Sequence, residues 1–521
     1  MKLTRRSGVL LHPTSLPGPF GSGDLGKSAC HFIDWLKTAQ QTLWQVLPLV
    51  DVGIGNSPYM SPSAFAGSVL LIDLEQLMEA GWLTQTELAF DTAFDETRVD
   101  YPVVTRFRMS RLRIAASRFF AAPKSSSHAA FDDFCKSEAR WLDDYALFRT
   151  LDTQYTGAHE GWQNWPQELA LRDPGALQEA KKTYAGDINF WKFCQWCFHE
   201  QWTRLKAYAN QNGIEVIGDV PIFVSLNSAD VWSQPELFML DAHGRPTVVA
   251  GVPPDKFSDT GQRWGNPLYN WDALAADDYR WWIDRIAHTM KLYDLVRVDH
   301  FRGFEAYWEI PADAPTAITG KWKKGPDAAF FHAIEKALGS LNFIAEDLGV
   351  ITSGVIALRK AFSLPGMRIL QFAFDHNPDN LYLPHNYEPD TVVYTGTHDN
   401  NTTRGWWQAA SEYERDYARR YLSISGEWIH WDLIRTALSS IARYAIAPMQ
   451  DILGLDSAHR MNEPGLPTGS WEWRFTWDQV ESWYATYLAE MTRLYGRAHA
   501  DSHLDLELPA PKNTDAALTS S

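Results

Sequence analysis

The sequence predicts an α/β fold, a (β/α)8 TIM barrel, and three observations predict it. Eight short runs rich in Val, Ile and Leu recur at 8–12, 42–49, 215–222, 294–300, 342–349, 367–375, 391–400 and 445–451. Near-continuous apolar runs of this length suit parallel strands covered on both faces. Helical patterns lie between most of them, 328–338 and 428–443 for example, and strand alternating with helix reads as βαβ units. Four of the runs carry an acid at or near their end, where a barrel gathers its active site. A doubly wound open sheet is the alternative arrangement of the same units.

The intervals between the runs are uneven. Residues 1–73 open the barrel, and 74–205 are expected to form a large, mostly helical insertion. Within it Phe131, Phe134, Cys135, Glu138, Trp141, Leu142 and Tyr145 trace one largely apolar helical stripe. Lys124-Ser125-Ser126-Ser127 reads as a loop. The rest of the barrel falls in 206–508, with an excursion at 223–290 whose Gly, Pro and Asp content reads as a long functional loop. Residues 509–521 are expected to be a flexible tail.

Composition narrows the function classes. With 47 basic and 64 acidic residues the formal charge is −17, which argues against nucleic acid or an anionic membrane as partner. No apolar run approaches the roughly 18 residues that span a bilayer. The basic start, Lys2 to Arg6, leads into Gly8-Val9-Leu10-Leu11 and is cut short by His12-Pro13, so no full signal sequence fits and a cytoplasmic protein is expected. Four cysteines exclude a disulfide scaffold. Cys194-Gln195-Trp196-Cys197 has redox or zinc spacing, yet Phe190, Cys194, Cys197, Phe198 and Trp202 recur at helical spacing, and a core position is the better reading. The 24 Trp, 20 Tyr and 26 Phe fit either a sugar-stacking site or an aromatic-rich core.

The acids carry the chemistry. Asp219, Asp299, Glu346 and Asp399 each follow an apolar run, and a barrel can bring them together from separate strands. Any one alone also reads as a helix N-cap. A carboxylate cluster without metal-ligand companions points to glycosidic chemistry, which needs one protonated acid and one ionised carboxylate across the sugar. Arg297 and Asp299 share a strand face at i, i+2, so the arginine either keeps Asp299 ionised or completes a buried ion pair. His300 and His398 suit hydrogen bonds to sugar hydroxyls. The alternative, metal ligation, lacks the H-x-x-x-H spacing.

Nine segments bear a family resemblance. They include His12-Pro13-Thr14-Ser15-Leu16-Pro17-Gly18, Asn56-Ser57-Pro58-Tyr59, Ser228-Ala229-Asp230-Val231-Trp232 and Gly251-Val252-Pro253-Pro254-Asp255. Gly265-Asn266-Pro267, Val298-Asp299-His300-Phe301-Arg302-Gly303, Ala345-Glu346-Asp347-Leu348-Gly349, Thr397-His398-Asp399-Asn400 and Arg460-Met461-Asn462-Glu463-Pro464-Gly465 complete the set. In this order they resemble the amylomaltases, the 4-α-glucanotransferases of the α-amylase clan. The resemblance runs over nearly the whole chain, from residue 8 to about 475.

The resemblance implies Asp299 as nucleophile, Glu346 as general acid/base and Asp399 as transition-state stabiliser; the residues alone do not separate Glu346 from Asp347. It implies that Asp219, Arg297, His300 and His398 line the donor sugar, and that Tyr59, Gln262, Trp264, Asp375 and Asn462 stand near the groove. Residues 251–267 resemble the family's lid, which would shield an intermediate from water; a static surface loop is the other reading. The implied reaction moves α-1,4-glucan segments between maltooligosaccharides or to glucose by a retaining mechanism. A hydrolase with water as acceptor and an inactive glucan sensor are the competing readings. No cofactor or metal is implied, since no phosphate loop, EF-hand spacing or zinc ligand set is present. Four departures from the family pattern fall at Asp51, Ser68, Asn227 and Ser470.

Overall fold

The eight apolar runs become eight parallel strands, Arg6–Leu10, Leu43–Gln45, Glu215–Pro221, Leu295–Asp299, Phe343–Ala345, Gly366–Ile369, Thr391–Tyr394 and Tyr444–Pro448. The computed structural model describes residues 4–90, 93–155, 161–255, 258–466 and 468–498. The strands are hydrogen-bonded in the order sixth, seventh, eighth, first, second, third, fourth, fifth. Around the remaining seam the N–H of Ala345 donates to the Pro365 carbonyl at 2.9 Å, and the N–H of Met367 donates to Asp347 at 2.7 Å. The chain is thus a (β/α)8 barrel rather than an open sheet. Its strands are almost wholly buried, as strands covered by helices outside and side chains inside must be. Gly218 shows how tight the packing is beside Asp219: a Cβ there would lie 2.1 Å from the Tyr293 ring.

The strands are shorter than the apolar runs. The seventh ends at Tyr394, so His398 and Asp399 stand on the loop beyond it, where Thr397 donates its N–H to Asn400 at 2.8 Å. Asp219 lies inside the third strand, two residues before its last, Pro221.

Between the second and third strands lie the helices Tyr101–Ala121, Ser126–Ser137, Ala139–Tyr155 and Ala185–Gln211 with shorter ones among them. The last runs through residue 205, so the expected end of the insertion falls inside a continuous helix. The stripe read as one helix is two, with Glu138 at the junction: it closes Ser126–Ser137 and takes hydrogen bonds from Trp141 at 2.7 Å and Lys291 at 3.1 Å. Of the four residues read as a loop, Lys124 and Ser125 precede the helix, Ser125 capping it through a reciprocal bond with His128, whereas Ser126 and Ser127 lie in its first turn. Cys194 and Cys197 are buried and free within Ala185–Gln211, and burial pushes both thiols up.

The excursion at 223–290 is more ordered than its composition predicts. Val248–Val252 and Gln262–Pro267 join Ala306–Pro311 and Lys321–Lys324 in a four-stranded antiparallel sheet. Both ends of the segment resembling a lid are therefore paired strands. The helix Arg280–Leu292 also crosses the excursion's expected end. Among the described residues no helix is long and apolar enough to cross a membrane. The expected tail at 509–521 lies outside the described residues.

Candidate active site

The third and fourth strands pair so that Asp219 faces Arg297 and Pro221 faces Asp299. The i, i+2 spacing then sets Arg297 between two carboxylates. Its Nη1 lies 2.6 Å from Asp219 Oδ2 and its Nη2 lies 2.8 Å from Asp299 Oδ1. The Tyr59 hydroxyl donates to Asp219 Oδ2 at 2.8 Å. Burial pushes the Asp219 carboxyl up; the Arg297 guanidinium opposes the rise and Asp299 adds to it. The guanidinium itself is held charged by the two aspartates despite its burial.

Glu346 follows the fifth strand, and its N–H donates to the Val298 carbonyl at 3.1 Å, setting it beside Asp299. Its carboxylate accepts the N–H groups of His300 at 2.7 Å and Leu348 at 2.8 Å. Those bonds and Arg297 favour the ion, but burial and Asp299 outweigh them, and the carboxyl is pushed up to about 7. Asp347 points elsewhere: it meets Arg359 at 3.2 Å and Arg368 at 3.7 Å and accepts the Met367 N–H. The geometry thus separates two adjacent acids that the residues alone leave equivalent. His300 takes a left-handed φ of 52°, a strained conformation for a residue with a Cβ. Burial lowers its ring to about 3, keeping it neutral. The ring meets Trp264 edge to face at 4.8 Å, and its Nε2 has no hydrogen-bond partner among the described residues.

Asp399 is held from the other side. Asn462 donates to its Oδ1 at 2.6 Å, His398 Nε2 lies 3.4 Å from its Oδ2, and Arg460 donates to its carbonyl at 3.1 Å. His398 stacks on Tyr59 at 5.3 Å and 13°. Trp471 packs against both rings, at 5.6 Å from Tyr59 and 5.8 Å from His398. Burial lowers the His398 pKa. Asp219, Asp299 and Asp399 all act electrostatically on Tyr59, and Asp299 acts on Glu346, so the four acids meet around one aromatic wall.

The outer residues divide. Gln262 accepts the Trp264 indole N–H at 3.1 Å, and the pair stands on the antiparallel sheet beside His300. Asp375 is exposed, its carboxylate accepting the Asn377 N–H at 3.0 Å; among the described residues it makes no hydrogen bond or ion pair to the acids. Arg460 and Trp471 belong to the site and were not picked out as such. Arg460 stands two residues before Asn462, a signal that was available. Trp471 has a left-handed φ of 68°, and no periodicity or propensity rule points to it. Among the described residues no group of three or more His, Cys, Asp or Glu is placed to hold a metal ion.

The site stands within a recognisable family pattern. The family model described as 4-alpha-glucanotransferase matches residues 11–479. The 4-alpha-glucanotransferase of Thermus thermophilus is 50% identical over 484 residues, 91% of this chain and 95% of that one. The enzyme of the same name from a Synechocystis strain is 47% identical, covering 95% and 98%. Among solved structures, an amylomaltase from Streptococcus agalactiae in complex with acarbose superposes with a TM-score of 0.92 at 37% identity, over 95% of this chain and 100% of that one.

Proposed function

The chain belongs to the 4-alpha-glucanotransferase family and is an enzyme of amylomaltase type; from that premise we propose that it moves α-1,4-glucan segments by two successive displacements through a glycosyl-enzyme. Asp299 is the nucleophile. Its Oδ1 is engaged by Arg297, which leaves Oδ2 to attack the anomeric carbon as the bond to the 4-oxygen breaks. Glu346 gives its proton to that departing oxygen and, as a carboxylate, then takes the proton from the 4-hydroxyl of an acceptor glucan. Asp399, fixed by Asn462 and His398, faces the positive charge that develops on the sugar ring. The acceptor 4-oxygen attacks the anomeric carbon and displaces Asp299, and two inverting displacements at one carbon retain its configuration.

The observation that carries this reading is the unlike setting of two neighbouring acids. Asp299 shares a guanidinium with Asp219, whereas Glu346 is raised to about 7 by burial and by Asp299. A carboxyl so raised holds a proton to give, which supports Glu346 as the acid and the arginine-paired Asp299 as the nucleophile. Asp219, Arg297, Tyr59, His300 and His398 form the wall for the donor sugar, with Gln262 and Trp264 at its edge and Asp375 farther out along the groove. The substrates are maltooligosaccharides with glucose or another α-1,4-glucan as acceptor, neutral molecules that the −17 charge neither attracts nor repels. Work in the cytoplasm is part of the same reading.

Incubation with maltotriose tests it, with the product ladder and the total reducing ends followed together. Glucose plus longer maltooligosaccharides at constant reducing ends is the expected result. Glucose and maltose with rising reducing ends would make water the acceptor and the enzyme a hydrolase.

A further inference from the structure

Two exposed tryptophans on the barrel's helices take no part in the cleavage site. Trp428 caps the start of helix Ile429–Ser439, and Trp483 is the second residue of helix Ser482–Leu494. In a (β/α)8 barrel helices start on the face where the strands end, so both indoles stand on the catalytic side. Their rings are 5.7 Å apart with planes inclined at 44°, and they are 53% and 38% exposed. Both are braced from behind. Buried Trp431 lies 5.8 Å from Trp483, Tyr484 meets Trp483 edge on at 4.5 Å, and His430 stacks parallel to Trp428 at 6.3 Å.

We infer that Trp428 and Trp483 form a surface platform that holds a long α-1,4-glucan chain away from the cleavage point. Indole faces stack on the flat C–H faces of pyranose rings. Successive rings of an α-1,4 chain turn relative to one another, as these two indole planes do. Each indole follows an exposed carboxylate, Glu427 in one case and Glu481 in the other, and carboxylates accept hydrogen bonds from sugar hydroxyls while repelling nucleic acid and anionic lipid. Contacts also link the platform to the segment that follows Asp399. His430 packs on Gly454, where a methyl group would lie 2.9 Å from its Nε2. The Gly454 carbonyl accepts a bond from Arg404 at 2.7 Å, and Arg404 follows Asp399 by five residues. A long chain held in the groove thus has a second sugar-binding surface on the same face of the barrel. This rests on glucan as the substrate class.

The test compares the full chain with its Trp428→Ala/Trp483→Ala variant. Retardation in gels containing glycogen reads polymer binding, and maltotriose transfer reads the cleavage site. Loss of two stacked sugars predicts binding to glycogen about tenfold weaker, and a higher KM for amylose, with maltotriose kcat/KM unchanged. Trp428→Ala alone, at the more exposed position, is expected to show the same direction and keeps the test open if the double variant folds poorly. Glycogen retardation equal to that of the unaltered chain overturns the platform. A fall from dimer to monomer on substitution, read by light scattering, overturns it too, since the occupant is then a second copy. Failure of the unaltered chain to disproportionate maltotriose strikes the reaction assignment and leaves the glycogen comparison readable.

Discussion

The backbone N–H of His300 donates to the carboxylate of Glu346 at 2.7 Å, tying the acid to the residue that follows Asp299. Such a bond favours the ionised carboxylate, yet the carboxyl is raised to about 7. The bond therefore serves direction: it aims Glu346 at the space beside Asp299, while burial and the neighbouring charge keep its proton available.

The pH dependence of the reaction follows. With Glu346 as the proposed proton donor, kcat/KM for maltotriose should fall as pH rises through about 7. Glu346→Gln should lower kcat by roughly 10²–10⁴-fold and abolish that alkaline limb. A pH–rate profile of both proteins checks this.

Stability should move the same way with pH. Asp219 and Glu346 both have folded-state pKa values raised above their ordinary ones. The stability they contribute is complete below about pH 4 and is lost as pH climbs toward neutrality. Thermal unfolding should show Glu346→Gln gaining in Tm over the unaltered protein at about pH 8 and gaining nothing at about pH 4.

Arg297 neutralises two carboxylates at once. Arg297→Met leaves Asp219 and Asp299 facing each other without a counter-charge, and a loss of about 3–5 kcal/mol is expected. Arg297→Lys keeps the charge without the planar fork that reaches both partners and should recover part of the stability and little of the turnover. Urea unfolding and maltotriose assays measure the two effects.

Tyr59 does two things through two parts of its side chain. Tyr59→Phe removes the hydroxyl bond to Asp219 and keeps the stack on His398, so activity should drop roughly 10–100-fold, the equivalent of about 1.5–3 kcal/mol for a charged hydrogen bond. Tyr59→Ala removes both and should fall further. Steady-state kinetics on the pair separates the contributions.

The buried thiols should be silent. Cys194 and Cys197 are enclosed in the core and raised by burial, so a thiol reagent should leave them unmodified in the folded protein and reach them in denaturant. Half-buried Cys135, also raised by burial, to about 11, should react slowly. Counting modified thiols by mass spectrometry decides.

Parts of this architecture were open to reading from the residues, and the reasons are physical. All eight barrel strands announced themselves, because burial on both faces forces an unbroken apolar run. The antiparallel sheet did not. Gln262–Pro267 and Lys321–Lys324 are partly or wholly exposed, so neither shows a buried alternation, and lysines blunt the exposed edge. The acids on the strands were found for the same reason as the strands. Asp399 stands five residues past the end of its strand, since Thr395 to His398 are buried loop residues that read like strand. Glu346 and Asp347 diverge only through the arginines that claim Asp347 from the sixth strand and the helix before it. Contacts that distant leave no local mark.

Trp471 ties the helical insertion to the chemistry. Its carbonyl accepts the Tyr101 hydroxyl at 3.0 Å, and the Val99 N–H donates to its neighbour Glu472 at 2.8 Å. Tyr101 opens the insertion's helix Tyr101–Ala121. A bulky residue at φ 68° keeps that conformation only where its surroundings over-determine it, and here the Tyr101 hydroxyl bond to its carbonyl comes from the insertion. The insertion is accordingly no detachable accessory. An engineer seeking a minimal catalyst cannot excise it and keep the barrel's active face, because the cut would release the indole that backs both Tyr59 and His398. A change at the foot of that helix is carried through Trp471 to the rings of Tyr59 and His398.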